Sequence, residues 1–211
     1  MPALRNAKEI LMRWIATLTP FVITLSAAPA GAATIADVQA HLRAVTTMTA
    51  HFSQTDRNGK TLSGTLKLKR PDRVRFSYEK GSNILIVANG KTFNFIDYGT
   101  RQVSAWPVGN SPLAVLLDPA RDISKVAHIV PGAGAVTLVE ARDARHPEFG
   151  TLTLAFSADS HAPGGLSLQG WVIDDSQGNR TVIHLADQAY NVPVSDEAFS
   201  WRDPRTIFHN H

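Results

Sequence analysis

TLSGTLKLKRPDRVRFSY, residues Thr61 to Tyr78, reads as two strands meeting at a corner. In its first half Leu62, Gly64, Leu66 and Leu68 take one parity, while Thr61, Ser63, Thr65, Lys67 and Lys69 take the other. A period of two gives a strand one apolar and one wet face. Arg70-Pro71-Asp72 interrupts the run, because proline fixes its own φ and removes a ladder donor. A second alternation follows, with Val74, Phe76 and Tyr78 opposite Arg73, Arg75 and Ser77. On this stretch alone, an ordinary sheet with Arg70 in a solvated turn is the plainest reading. The rest of the chain changes the balance, since it offers many more such strands and few helices to cover them.

Outward from that stretch the same signals recur. Thr34 can cap a helix with Asp37 in a capping-box arrangement. Ile35, Val38, Leu42 and Val45 then form one narrow apolar stripe. Thr49–Thr55 alternates, with Ala50, Phe52 and Gln54 on one face, and Arg57-Asn58-Gly59-Lys60 turns into the central stretch. Beyond it, Ile84–Ala88 is a continuous apolar run, and Asn89-Gly90 is a strong hairpin signal. Lys91–Asp97 returns with Phe93 and Phe95 on one face, and Arg101–Trp106 adds another strand. Ser111-Pro112 then switches the period. It predicts a helix of about two turns through Leu113, Leu116 and Leu117, ended by Asp118-Pro119. So short a helix is marginal alone in water and must lie on something apolar.

The remainder reads as a helical turn at Ala120–Ser124 and strands at Val126–Val130, Ala135–Ala141, Thr151–Phe156, Leu166–Asp174 and Thr181–Ala186, with Phe199 and Trp201 closing the tail. Roughly ten or eleven strands, no repeat and no linker predict a mainly β (α+β), all-antiparallel domain over residues 33–211.

Composition narrows the function. The 211 residues are 44% hydrophobic, enough for a substantial core. A basic start through Arg13, the apolar run Trp14–Ala27 and the small residues Ala28–Ala33 have the form of a secretory signal. Residues 1–32 are therefore expected to be removed, with the cut after Ala32 or Ala33. Taking Arg5, Lys8, Arg13 and Glu9 from the 21 basic and 18 acidic residues leaves a net of +1. That gives no electrostatic case for nucleic acid. With no cysteine, disulfides, thiolate metal sites and lipid attachment at the cleavage site are excluded. An exported, soluble, monomeric protein is the expectation.

Catalytic and metal motifs are missing. There is no G-x-S-x-G and no H-E-x-x-H, and Gly59-Lys60-Thr61 and Gly90-Lys91-Thr92 lack the upstream glycine of a phosphate loop. Asp174-Asp175 reads as a strand-end turn, since neighbours on a strand point to opposite faces. No catalytic residue, cofactor or metal is expected.

The order and spacing of several short pieces is more informative. They are Phe52-Ser53-Gln54, then G-x-L-x-L-K-R-P at Gly64–Pro71 with Phe76 five residues on, Val87–Thr92, the Ser111–Leu117 helix, Asp175–Thr181 and Phe199–Pro204. Together, over most of residues 33–211, they resemble the periplasmic outer-membrane lipoprotein carrier family, LolA-like. The resemblance implies an incomplete antiparallel barrel with a short α-helical lid over an apolar cavity that takes lipoprotein acyl chains. It implies a gate of Arg70, Pro71, Leu113, Leu116 and Leu117, with the arginine tying the lid shut. The cavity wall would be Leu42, Phe52, Leu66, Leu68, Val74, Phe76, Tyr78, Phe93 and Phe95. Two positions depart from the family pattern: Val74 stands where a large aromatic is frequent, and Phe76 stands at a tryptophan site. The implied partners are an inner-membrane lipoprotein-releasing ABC transporter as donor and an outer-membrane acceptor, protein or membrane. A periplasmic lipid- or lipoprotein-sensing regulatory protein and an exported hydrolase remain as alternatives.

Overall fold

Alternation in the sequence becomes alternation in burial. In a computed structural model, which describes residues 33–110, 113–144 and 146–208, the central stretch forms strands Thr61–Lys69 and Arg73–Tyr78. Gly64, Leu66, Leu68, Val74 and Phe76 are buried, while Thr65 and Lys67 are exposed. Leu66 lies directly opposite Phe76, and Leu68 opposite Val74. Such cross-strand apolar pairs are the unit of sheet stabilisation. The corner runs through a cis Arg70–Pro71 peptide, and Asp72 has φ +68°.

In chain order the elements are helix α1 (Ile35–Ala44), then strands β1 (Thr47–Thr55), β2 (Thr61–Lys69), β3 (Arg73–Tyr78), β4 (Ile84–Asn89), β5 (Thr92–Asp97) and β6 (Gln102–Pro107). A connection carrying α2 (Ala114–Leu117) leads to β7 (Ala127–Val130), β8 (Val136–Ala141), β9 (Thr151–Ala158), β10 (Leu166–Asp174) and β11 (Arg180–Tyr190). All eleven strands join one antiparallel sheet in the order β6-β5-β4-β3-β2-β1-β11-β10-β9-β8-β7. β6 and β7 are its two edges, so the sheet stays open.

The sheet is also strongly curled. β3 and β10 are four ladder steps apart, which on a flat sheet would separate them by roughly 19 Å. Yet the rings of Phe76 on β3 and Trp171 on β10 are 6.1 Å apart, edge to face. The concave face holds the main core, to which both halves of the sheet, α1 and α2 contribute.

Three elements differ from the sequence reading by more than a residue or two. α2 is a single turn rather than about two, and Leu113 flanks it in helical conformation with no side-chain cap. Ser111 and Pro112, like the expected signal at residues 1–32, lie outside the described residues. The helical turn expected at Ala120–Ser124 is a 3-10 turn at Ile123–Lys125. β11 runs on to Tyr190 because its pairing with β1 resumes beyond an irregularity opposite Thr49 and His51, where Asp187 has φ +54°.

At the start of α1 the capping box is present: Thr34 Oγ1 accepts from the Asp37 amide at 3.2 Å, and Asp37 Oδ2 accepts from the Thr34 amide at 2.8 Å. Those bonds hold the Asp37 carboxyl below the usual carboxylate range. Thr34→Ala is expected to cost about 1 kcal/mol, read as a drop of roughly 2–4 °C in melting temperature.

The convex face carries a second, smaller core. Leu85, Val87 and Ile96 bury Phe199 from the C-terminal segment. This explains the unbroken apolar run in β4: it is covered on both faces. The side chains that the alternation assigns to the wet face of β2 and β3 fasten that segment. Arg75 donates to Ser200 O at 2.7 Å, Lys69 donates to Val194 O at 3.0 Å, and Lys69 and Arg73 both pair with Asp196.

Candidate functional site

The corner arginine is not solvated. Its side chain turns into the concave face, where Nε donates to Leu116 O at 2.9 Å and Nη1 donates to Val45 O at 2.8 Å. One guanidinium thus ties α2 to the end of α1. Burial pulls its pKa down to about 10, so it remains a cation at neutral pH. The fork geometry of arginine suits this task, because two donors diverge at a fixed angle toward two carbonyls.

Under α2 lies an apolar hollow of about 20 Å³, lined by Leu42, Leu66, Leu68, Arg70, Val74, Phe76, Leu113, Leu116 and Leu117 together with His41, Val45, Met48, Leu168, Trp171 and Tyr190. That volume holds roughly one water. The three leucines of the α2 segment occupy the rest of the space. Beside it opens a groove of about 360 Å³, walled by Phe76, Ile86, Phe93, Trp106, Leu113, Trp171, Ile173 and Ile183. It falls at the low end of the roughly 300–1,000 Å³ typical of small-molecule pockets. Gln54, Glu148, Asp175 and Thr181 supply its polar rim. Phe76, Leu113 and Trp171 belong to both spaces and form the partition between them.

The structure brings most of the sequence-derived residues together here. Leu42, Leu66, Leu68, Val74, Phe76 and the leucines of the α2 segment surround the hollow, and Phe93 lines the groove. Three wall candidates line neither space. Phe52 is buried behind Phe76, with which it makes an edge-to-face contact at 5.4 Å. Tyr78 packs on Phe52 and donates its hydroxyl to Gln54 Oε1 at 2.7 Å, and burial pushes its pKa up to about 12. Phe95 is half-buried on β5, opposite Ile86. Pro71 sets the corner and lines neither space.

Among the lining residues that escaped the sequence reading, which include Met48, Leu168 and Tyr190, His41 and Trp171 stand out. His41 is 2% exposed, and its Nδ1–H donates to Pro163 O at 2.7 Å. That bond fixes the tautomer, and burial lowers the pKa of the ring. Its place beside Leu42, three residues after Val38, was a usable signal. Trp171 was hidden by a bulge: Leu168 faces Phe156 of β9, but Gly170 faces the adjacent Ala155. The extra residue flips the parity of β10, so that Trp171 and Ile173 share the concave side with Leu168. An isolated glycine inside a strand pattern was the available clue.

No helix among the described residues is long and apolar enough to cross a membrane. The site consists of an apolar hollow covered by the leucines of a one-turn helix, with a half-buried cation bonded to the carbonyl of Leu116 on that helix.

The family model described as outer membrane lipoprotein carrier protein LolA matches residues 43–202. The outer-membrane lipoprotein carrier protein of Cupriavidus necator is 26% identical over 212 residues, covering 93% of this chain and 95% of its own. That of Xylella fastidiosa is 29% identical over 201 residues, covering 89% and 92%. That of Xanthomonas campestris is 30% identical over 164 residues, covering 71% and 75%. Among solved structures, a LolA superfamily protein from Nitrosomonas europaea overlays with a TM-score of 0.47 at 10% identity, covering 81% of this chain and 99% of that one. The chain belongs to the LolA family of outer membrane lipoprotein carrier proteins.

Proposed function

We propose that this protein is a periplasmic carrier that takes up the acyl chains of lipoproteins leaving the inner membrane and hands them on at the outer membrane. The observation that carries the reading is the latch: an apolar hollow stoppered by the leucines of a one-turn helix, which a half-buried arginine ties through its Leu116 carbonyl to the carbonyl of Val45 at the end of α1. In this reading residues 1–32 direct export and are removed, and an inner-membrane ABC transporter and an outer-membrane acceptor stand at either end of the route. The work is carriage rather than catalysis.

Hydrocarbon burial sets the energetics. Each CH₂ withdrawn from water is worth about 0.8 kcal/mol, so long acyl chains do not cross an aqueous space unaided. A carrier wall about as apolar as the bilayer makes the exchange nearly isoenergetic, and modest differences then set its direction. The leucines at positions 113, 116 and 117 compete with cargo for the same walls. Loading lifts them and strains the Arg70 bonds; unloading restores both. Closure of the stopper therefore contributes to release.

The direct test is release of a lipoprotein from inner-membrane vesicles with and without the purified protein. Lipoprotein is expected in the soluble fraction only when the protein is present, in complex with it. Equal release in its absence would overturn the reading.

A further inference from the structure

Trp171 stands out among the buried polar groups. It is 3% exposed, it lines both the hollow and the groove, and its Nε1–H has no hydrogen-bond partner among the described residues. Buried side-chain donors are satisfied in the large majority of cases, and each exception calls for a physical account. The bulge at Gln169 and Gly170 sharpens the point. Without that extra residue, Trp171 would take the opposite parity and face away from Leu168. Only glycine fits there, since Gly170 has φ +148° and an added Cβ would collide with the carbonyl oxygen of Ile183. The side chains that share the partition with Trp171, Phe76 and Leu113, offer it no acceptor.

An unpartnered donor in the wall of a ligand space suits an acceptor carried by the ligand. Pure hydrocarbon has none. An acylated glycerol has carbonyl oxygens at the head of each chain, where apolar tail meets polar backbone. We propose that Trp171 Nε1–H is the donor for an acyl-ester carbonyl of the bound lipid, seating the head of a chain at the partition while its tail runs along the apolar walls. The inference rests on the carrier reading above and adds what that reading lacks, a point of chemical recognition within an otherwise greasy space. Trp171 is thus a specificity-determining residue that distinguishes acyl from alkyl lipids.

The test uses displacement of N-phenyl-1-naphthylamine from the full protein by three competitors: a diacylglyceryl-cysteine lipopeptide, its dialkyl-ether counterpart, and a diacyl phosphatidylethanolamine of equal chain length. The ether lipopeptide is expected to compete about five- to tenfold more weakly than the ester lipopeptide, the size of one neutral hydrogen bond against a stranded donor. Trp171→Phe, which keeps the ring and removes the donor, is expected to bind ester and ether alike, with its fold checked by circular dichroism. Competition by the phospholipid as well supports recognition of the ester of any diacyl lipid; competition by the lipopeptide alone ties it to the cysteine-linked head. Equal binding of ester and ether by the unsubstituted protein overturns the inference and leaves the carrier reading standing. Failure of every competitor to displace the probe overturns both.

Discussion

Arg70→Leu is expected to load lipoprotein as well as the parent protein does and to deliver it at least about tenfold more slowly. Of the two bonds from Arg70, the one to Leu116 O is made only while the stopper is down, and the one to Val45 O anchors the guanidinium to the end of α1. Hydrogen bonds to a charged group contribute roughly 1.5–3 kcal/mol each. Part of that is offset by the cost of keeping the guanidinium out of water, so a net loss of about 2 kcal/mol for the closed form is reasonable. That shifts the ratio of closed to open molecules by about thirtyfold. Leucine is apolar and suits the hollow, so the fold survives and the open form still takes cargo. With the closed form weakened, nothing drives the chains out. Arg70→Lys keeps the charge but has no fork to span two carbonyls, and an intermediate defect is expected. The measurement is transfer of lipoprotein from the preloaded carrier to outer-membrane vesicles, with the soluble complex quantified in parallel. Delivery at the parent rate by Arg70→Leu would remove the latch from the mechanism.

Gly170→Ala is expected to lower the melting temperature by roughly 10 °C and to weaken binding of an apolar fluorescent probe. Two costs add. Strain at a backbone conformation that side chains rarely adopt is about 1–3 kcal/mol. Overpacking against the Ile183 carbonyl is of similar size, about 1–3 kcal/mol. For a domain of this length each kcal/mol moves the midpoint by roughly 2–4 °C. The functional part follows from parity: if β10 relieves the clash by losing its bulge, Trp171 leaves the partition and the wall between hollow and groove opens. A thermal melt near that of the parent would show that the bulge does not depend on glycine.

What could be read from the sequence was local. Leu66 and Leu68 against Thr65 and Lys67, or Asn89-Gly90 between two apolar runs, carry strand and turn within a few residues, and a count of roughly ten or eleven antiparallel strands follows from repeating that reading; that the sheet stays open was implied only by the family resemblance. Leu113, Leu116 and Leu117 were legible as a short apolar helix, but its length was not, since the pairing that holds it comes from Arg70, more than forty residues earlier. The run Ile84–Ala88 announced burial without saying on which face; Phe199, which covers its convex side, lies over a hundred residues away. Arg73 and Arg75 were assigned correctly to the outer face, yet their anchorage to the C-terminal segment depends on the same distant pairing. In the site, the corner arginine and the leucines stood out through the family resemblance. Trp171 did not, because period-two counting fails by one at a bulge, and that single offset moves a residue from one side of the sheet to the other.

The connection between β6 and β7 joins the two rims of the sheet, and it is also the segment that carries α2. In the carrier proposed above, movement of the cover and spacing of the rims would be coupled through this one connection, as a clasp is coupled to the width of a bracelet. A fully sealed cylinder of the same strands would have a fixed calibre.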